Sequence, residues 1–178
     1  MAEEKKEPWL NYLALTTVIF AVCATLSTFK GGGFSTRSVM SQSQASDEWA
    51  FYQAKSIKSY MYQMQKETFE LKLLDLPRST PEEAINNYKE KIADYKKKIE
   101  KYEQEKAEIQ EKAKQLESVR DESQKHSQAF GMAVIFLQIA ILLSSIAALL
   151  KKKIVWYGGM AAGLVGLFYF VDGFILFL

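Results

Sequence analysis

The sequence predicts an all-α membrane protein: three transmembrane helices, with an antiparallel coiled-coil helical hairpin inserted between the first and the second. Three observations carry this prediction. Residues 9–29, 130–150 and 154–178 carry almost no charge. Apolar residues between Ile85 and Leu116 recur in alternating steps of three and four. Of the 44 charged residues, 23 fall within 82–125, as 11 basic and 12 acidic ones. The net charge of +2 and the mean hydropathy of −0.13 would suit a soluble domain. They are sums over segments suited to lipid and segments suited to water. A single Cys excludes an internal disulfide framework and a Cys-rich metal site. The near-zero net charge argues against nucleic acid as a partner.

Residues 1–8 form a short tail. The first span, 9–29, is 21 uncharged residues opening with Trp9 and Tyr12, where interfacial aromatics belong. At about 1.5 Å per residue, roughly 20 residues cross a hydrocarbon core of about 30 Å. Val22-Cys23-Ala24 is a weak match to a cleavage site, but the leader before the span is net acidic, whereas signal peptides carry a basic start. An uncleaved anchor is expected, with Cys23 as a small hydrophobe in lipid. Residues 30–46 are expected to be a hinge or linker. Gly31-Gly32-Gly33 should break the helix, and the Ser/Gln-rich stretch after it is either a linker or a polar start to the hairpin.

The hairpin is expected over 47–129, with its turn at 76–81. Its first arm reads as a helix from Ala45 to Leu74, with Ile57, Met61, Met64 and Leu71 on one face. Leu76-Pro77-Arg78-Ser79 supplies the turn. Thr80, Pro81 and Glu83 have the pattern of an N-cap, a first-turn proline and a capping box. In the second arm Ile85, Tyr88, Ile92, Tyr95, Ile99 and Tyr102 fill successive a and d positions, and the register continues through Lys106, Ile109, Ala113 and Leu116. Five such heptads argue for a coiled coil. The remaining Lys, Glu and Gln residues read as a solvated face. No breaker precedes Phe130, so the arm should run straight into the second span, 130–150.

Lys151, Lys152 and Lys153 form a short basic loop before the third span, 154–178. The loop and the tail lysines, Lys5 and Lys6, place both on the cytoplasmic side and the hairpin outside, in the periplasm of a bacterial inner membrane. Three polar residues lie within the spans: Thr25, Gln138 and Asp172. Intramembrane carboxylates are costly, and similar depths suggest that the three join in one hydrogen-bonded cluster. The competing explanation is that Asp172 simply reaches the interface. Gly159, Gly163, Gly166 and Gly173 place small residues on one face of the third span, a basis for close helix pairing. The stripe could pack within the chain, but the reading leans to a homo-oligomer.

No catalytic constellation, metal site or cofactor motif is found. His126 is the one histidine, and no phosphate-binding glycine loop follows a strand. The chain is therefore expected not to be an enzyme. Two stretches resemble a family of bacterial membrane proteins, domain of unknown function 4337. They are Leu13-Ala14-Leu15-Thr16-Thr17 and Gln44-Ala45-Ser46-Asp47-Glu48-Trp49-Ala50-Phe51-Tyr52-Gln53-Ala54-Lys55-Ser56-Ile57-Lys58. A simple coil would not need Trp49 and two further aromatics, and the resemblance extends over essentially the whole chain. It implies a bacterial envelope protein and brings no activity, cofactor or catalytic residue. Members have a helix-forming Ala-rich segment where this chain has Gly31 to Phe34.

Trp49, Phe51, Tyr52, Lys55 and Lys58 are the candidate interaction surface, with hairpin packing as the alternative explanation. The functional expectation is a non-enzymatic scaffold or assembly protein. Its partners would be membrane lipid, further copies of itself and another membrane or envelope protein. The alternative is a small oligomeric channel or an accessory subunit of a transport complex.

Overall fold

A helix continues until something removes its backbone partners, and proline is the strongest such residue. The chain's three prolines are Pro8, Pro77 and Pro81. A computed structural model describes residues 8–177, and its helices run between these points. Helix α1 spans Trp9–Leu74, α2 spans Glu82–Leu150 and α3 spans Lys153–Ile175. Among the described residues there is no strand. All three helices are long and apolar enough to cross a membrane. Lys5, Lys6 and most of the short tail lie outside the described residues.

The connection between α1 and α2 falls where the turn was expected. Thr80 N–H donates to the Pro77 carbonyl at 3.0 Å, and its hydroxyl donates to the same oxygen at 2.7 Å. The Thr80 side chain therefore closes the turn instead of capping α2. Between α2 and α3, Lys151 is left-handed (φ 51°) and Lys152 is extended (φ −109°, ψ 110°). That pair reverses the chain in two residues.

The expected hinge at 30–46 is not there. Helix α1 runs through Gly31-Gly32-Gly33 and the Ser/Gln stretch without a break. The physical reason is tertiary. A Cβ on Gly31 would lie 3.0 Å from Phe130 Cβ, so the missing side chain is what lets α2 approach. Ser127 Oγ then donates to the Gly31 carbonyl at 3.1 Å. Each glycine costs a helix about 1 kcal/mol relative to alanine, which this packing can offset. As expected, α2 continues into its apolar half without interruption.

The chain divides into two compact units. Unit 1 takes residues up to Met40 and from Val119 onward, and unit 2 is Ser41–Ser118. In unit 1, Phe20 and Ala24 of α1 pack with Ala133, Leu137 and Ala140 of α2, with Met160, Ala162 and Leu167 of α3 around them. A second cluster joins Trp9, Leu13 and Ala147, with Val155 and Trp156 against it. Outward-facing residues are large and apolar, among them Val18, Val22, Leu142, Leu164 and Val171.

Unit 2 pairs the second half of α1 with the first half of α2. Their contacts run in reversed order, which makes the two stretches antiparallel. Trp49 meets Glu117, Lys55 meets Glu105, Tyr62 meets Tyr95 and Tyr102, and Phe69 meets Tyr88.

Candidate functional site

The glycine stripe of α3 is occupied within the chain. Gly159, Gly163, Gly166 and Gly173 are all buried. A Cβ on Gly166 would sit 2.7 Å from Leu137 Cγ and 2.9 Å from Leu137 N. One on Gly173 would sit 2.7 Å from Phe130 Cδ1, and one on Gly159 3.2 Å from the Ala140 carbonyl. At Gly163 it would overlap the Phe20 ring. The face offered for pairing between chains is thus filled by α2 and Phe20. The complementary face on α2 was missed in the sequence. Ala133, Ala140 and Ala147 recur every seven residues, as do Phe130, Leu137 and Ser144, and all six have no exposed surface. That period was present as a signal but was masked by the general apolarity of the span. Ser144 Oγ is buried there without a hydrogen-bond partner.

Thr25, Gln138 and Asp172 do not meet, so the expected polar cluster is corrected. Thr25 and Gln138 are exposed on the outside of unit 1, whereas Asp172 is 4% exposed. Similar depth along a span says nothing about the direction a side chain takes around it. Thr25 Oγ1 donates to the Ala21 carbonyl at 2.9 Å, and Ser27, Thr28 and Ser145 use the same four-residue return. A hydroxyl satisfied by its own helix needs no partner helix. Asp172 instead serves the end of α3. Its Oδ1 accepts the Phe177 N–H at 2.9 Å, and its carbonyl accepts the Leu176 N–H at 2.8 Å.

Near this helix end lies His126, which the sequence marks only as the one histidine, without a partner. His126 Nδ1 is 2.8 Å from the Gly173 carbonyl, so that nitrogen carries the proton. The Phe34 ring stacks on His126, with centroids 4.4 Å apart and planes 15° apart. The imidazole ties α2 to the end of α3, and Phe34 holds it from α1. At the opposite ends of the spans, Trp156 Nε1 donates to Thr16 Oγ1 at 3.3 Å, and the Trp9 and Trp156 rings lie 6.1 Å apart.

In unit 2 every predicted seam residue from Ile85 to Leu116 is buried or half-buried, and the seam faces α1. At its centre Lys106 is 8% exposed. Its Nζ bonds both Glu103 carboxylate oxygens at 2.9 Å and lies over the Tyr52 ring, while Ser59 Oγ donates to Glu103 Oε1 at 2.7 Å. The Lys106 and Ser59 bonds hold the Glu103 carboxyl below its ordinary range, and the Glu103 bond holds Lys106 above its own. Lys55 pairs with Glu105 at 2.5 Å and likewise lowers that carboxyl.

Of the candidate interaction surface, Trp49, Tyr52 and Lys55 are committed to this packing. Trp49 Nε1 donates to Glu117 Oε1 at 2.9 Å, and its ring meets Tyr52 edge-on. Phe51 and Lys58 remain exposed. Among the described residues, no group of three or more His, Cys, Asp or Glu side chains could hold a metal ion.

Three closely packed apolar helices and an antiparallel helical pair define an all-helical protein whose helices can each cross a membrane. The chain belongs to the family described as Domain of unknown function (DUF4337), which matches residues 9–176, nearly its whole length. No curated protein and no solved structure matches it.

Proposed function

We propose that this chain is a non-enzymatic membrane scaffold. Three transmembrane helices anchor it in a bacterial inner membrane, and an antiparallel coiled-coil hairpin projects from them for self-association or partner binding. The observation that carries this reading is the interior of unit 1. Phe20, Ala24, Ala133, Leu137 and Ala140 fill it, and the glycines of α3 close it against α2. A conduit needs polar groups along its length, whereas these spans turn Thr25 and Gln138 outward and return the Thr25, Ser27, Thr28 and Ser145 hydroxyls to carbonyls of their own helices. Large apolar side chains on the outside suit lipid, since a soluble monomer would leave a contiguous apolar surface in water.

The short basic turn at Lys151 and Lys152 supports a cytoplasmic side for that end and a periplasmic hairpin. Purified protein in liposomes provides the test. The scaffold reading expects no ion or solute flux above that of empty vesicles, and a native mass that is a multiple of the 20.3 kDa chain. Reproducible conductance would overturn it in favour of a channel.

A further inference from the structure

The two stretches of unit 2 present very different outer faces. Between Glu82 and Ser118, α2 has no large hydrophobic side chain among the exposed ones. On α1, Ile57, Met61, Met64 and Leu71 are 61%, 56%, 68% and 65% exposed. The α1 side chains that face α2, such as Tyr52, Ser59, Tyr62 and Phe69, lie on the other side of the helix. Solvation alone would make both outer faces alike.

The exposed apolar residues also keep a heptad of their own. With Ile57 at d, the d positions are Ala50, Ile57, Met64 and Leu71, and the a positions are Ala54, Met61 and Thr68. All seven are exposed. Three heptads of a and d residues make a seam that needs a partner helix. A depression of about 490 Å³ lies between the flank of this seam and α2, bordered by Lys58, Met61, Tyr62, Gln65 and Tyr102.

The flanks indicate which helix fits. The g positions are Tyr60, Glu67 and Leu74, and the e positions are Lys58, Gln65 and Lys72. In a parallel pair g meets e of the next heptad on the partner, which sets Glu67 against Lys72 of a second copy. An antiparallel pair sets g against g and e against e, which gives no opposite-charge contact. We propose that the outer face of α1 from Ala50 to Leu71 docks in parallel, in register, on the same face of a second copy of this chain. The proposal rests on the membrane reading above, because copies inserted alike in one bilayer send this helix out in the same direction. It replaces the glycine stripe as the self-association surface.

The test uses the full-length chain in membranes with Cys23→Ala as background. Ile57→Cys and Leu71→Cys are oxidised separately, with Lys97→Cys on the outer face of α2 as control. In a parallel, in-register pair each a or d residue meets its own copy. Both variants should therefore give a band at twice the chain mass, several-fold stronger than the control. Self-linking at one position only would overturn the parallel register.

Adding Glu67→Lys should reduce linking several-fold, and Glu67→Lys with Lys72→Glu should restore it. A reversal without effect would overturn the charge pairing. Native mass separates the failures. A multimer whose α1 cysteines link no better than Lys97→Cys overturns the seam and leaves the scaffold. A monomer overturns both.

Discussion

In unit 1 the closest contacts of the seven-residue repeat are made by alanine and glycine; in unit 2 the repeat is filled mainly by tyrosine and isoleucine, with one lysine. Ala133, Ala140 and Ala147 face a helix carrying Gly159, Gly166 and Gly173, and an added methyl on any of these glycines is tight or clashes. Ile92, Ile109 and Ala113 bury themselves beside Lys106, whose charge is held by Glu103. The surroundings proposed for the two units would account for the difference. Apolar helices in lipid gain little from hiding apolar surface, so they cohere through close backbone approach. Helices in water gain from hiding it, and a buried polar contact then fixes their register.

The strongest way to break this contrast is to enlarge a glycine. Gly166→Leu should destabilise unit 1 by about 3 kcal/mol, the upper end for overpacking, because the clash includes the Leu137 backbone. Gly158→Leu meets open space and should stay within about 0.5 kcal/mol. Thermal unfolding in detergent, followed by circular dichroism, compares them. Equal losses would remove the close-packing argument.

In unit 2 the matching change is at Lys106. Lys106→Ala should cost about 1–2 kcal/mol, since it opens the seam and strips Glu103 of its cation. Lys106→Leu should cost less than Lys106→Ala, because it refills the seam with a side chain of similar volume while stripping Glu103 of the same cation. A urea titration of the full chain in detergent reads both. Equal losses in the two variants would assign the effect to the cation and not to the filled seam.

A smaller effect separates the glycines of α1. Gly32→Ala has free space and should raise helix stability by up to about 1 kcal/mol. Gly31→Ala should lose that gain against Phe130. Amide hydrogen exchange over residues 28–36 should slow in the first variant and not in the second.

The smallest effect is with pH. Glu103 is held below its ordinary value of 4.5, so its share of stability is present above that pH and lost as pH falls through the lowered value. Lys106 is held above 10.5, so its share is present below that pH and lost as pH rises through the raised value. Stability of unit 2 should be flat between these limits and fall at both ends. Glu103→Gln should flatten the acid limb.

Much of this architecture could be read from local patterns. The prolines at 8, 77 and 81 mark where helices start and stop, and the seam from Ile85 to Leu116 identifies the buried face of α2. What failed depended on a partner distant in sequence. Gly31 to Gly33 read as a hinge because the residue that makes Gly31 useful, Phe130, lies on another helix. Thr25, Gln138 and Asp172 were grouped by depth, yet their directions around the helices separate them. The glycine stripe shows in the sequence as a face of small residues, but what fills it within the chain, α2 with its alanine repeat and Phe20 of α1, lies on other helices. His126 gave no pattern at all, since its contacts are Phe34 and a backbone carbonyl of α3.

The central proposal is that unit 1 lies in lipid and unit 2 in water on the periplasmic side. Labelling with a membrane-impermeant maleimide tests it most directly, using single cysteines in the Cys23→Ala chain. Lys97→Cys should label in intact cells once the outer membrane is permeable, and Lys152→Cys only after the inner membrane is opened. Leu142→Cys, 60% exposed on the isolated chain, should label in neither case. Labelling of Leu142→Cys by this aqueous reagent, or of Lys97→Cys and Lys152→Cys from the same side, would contradict the account.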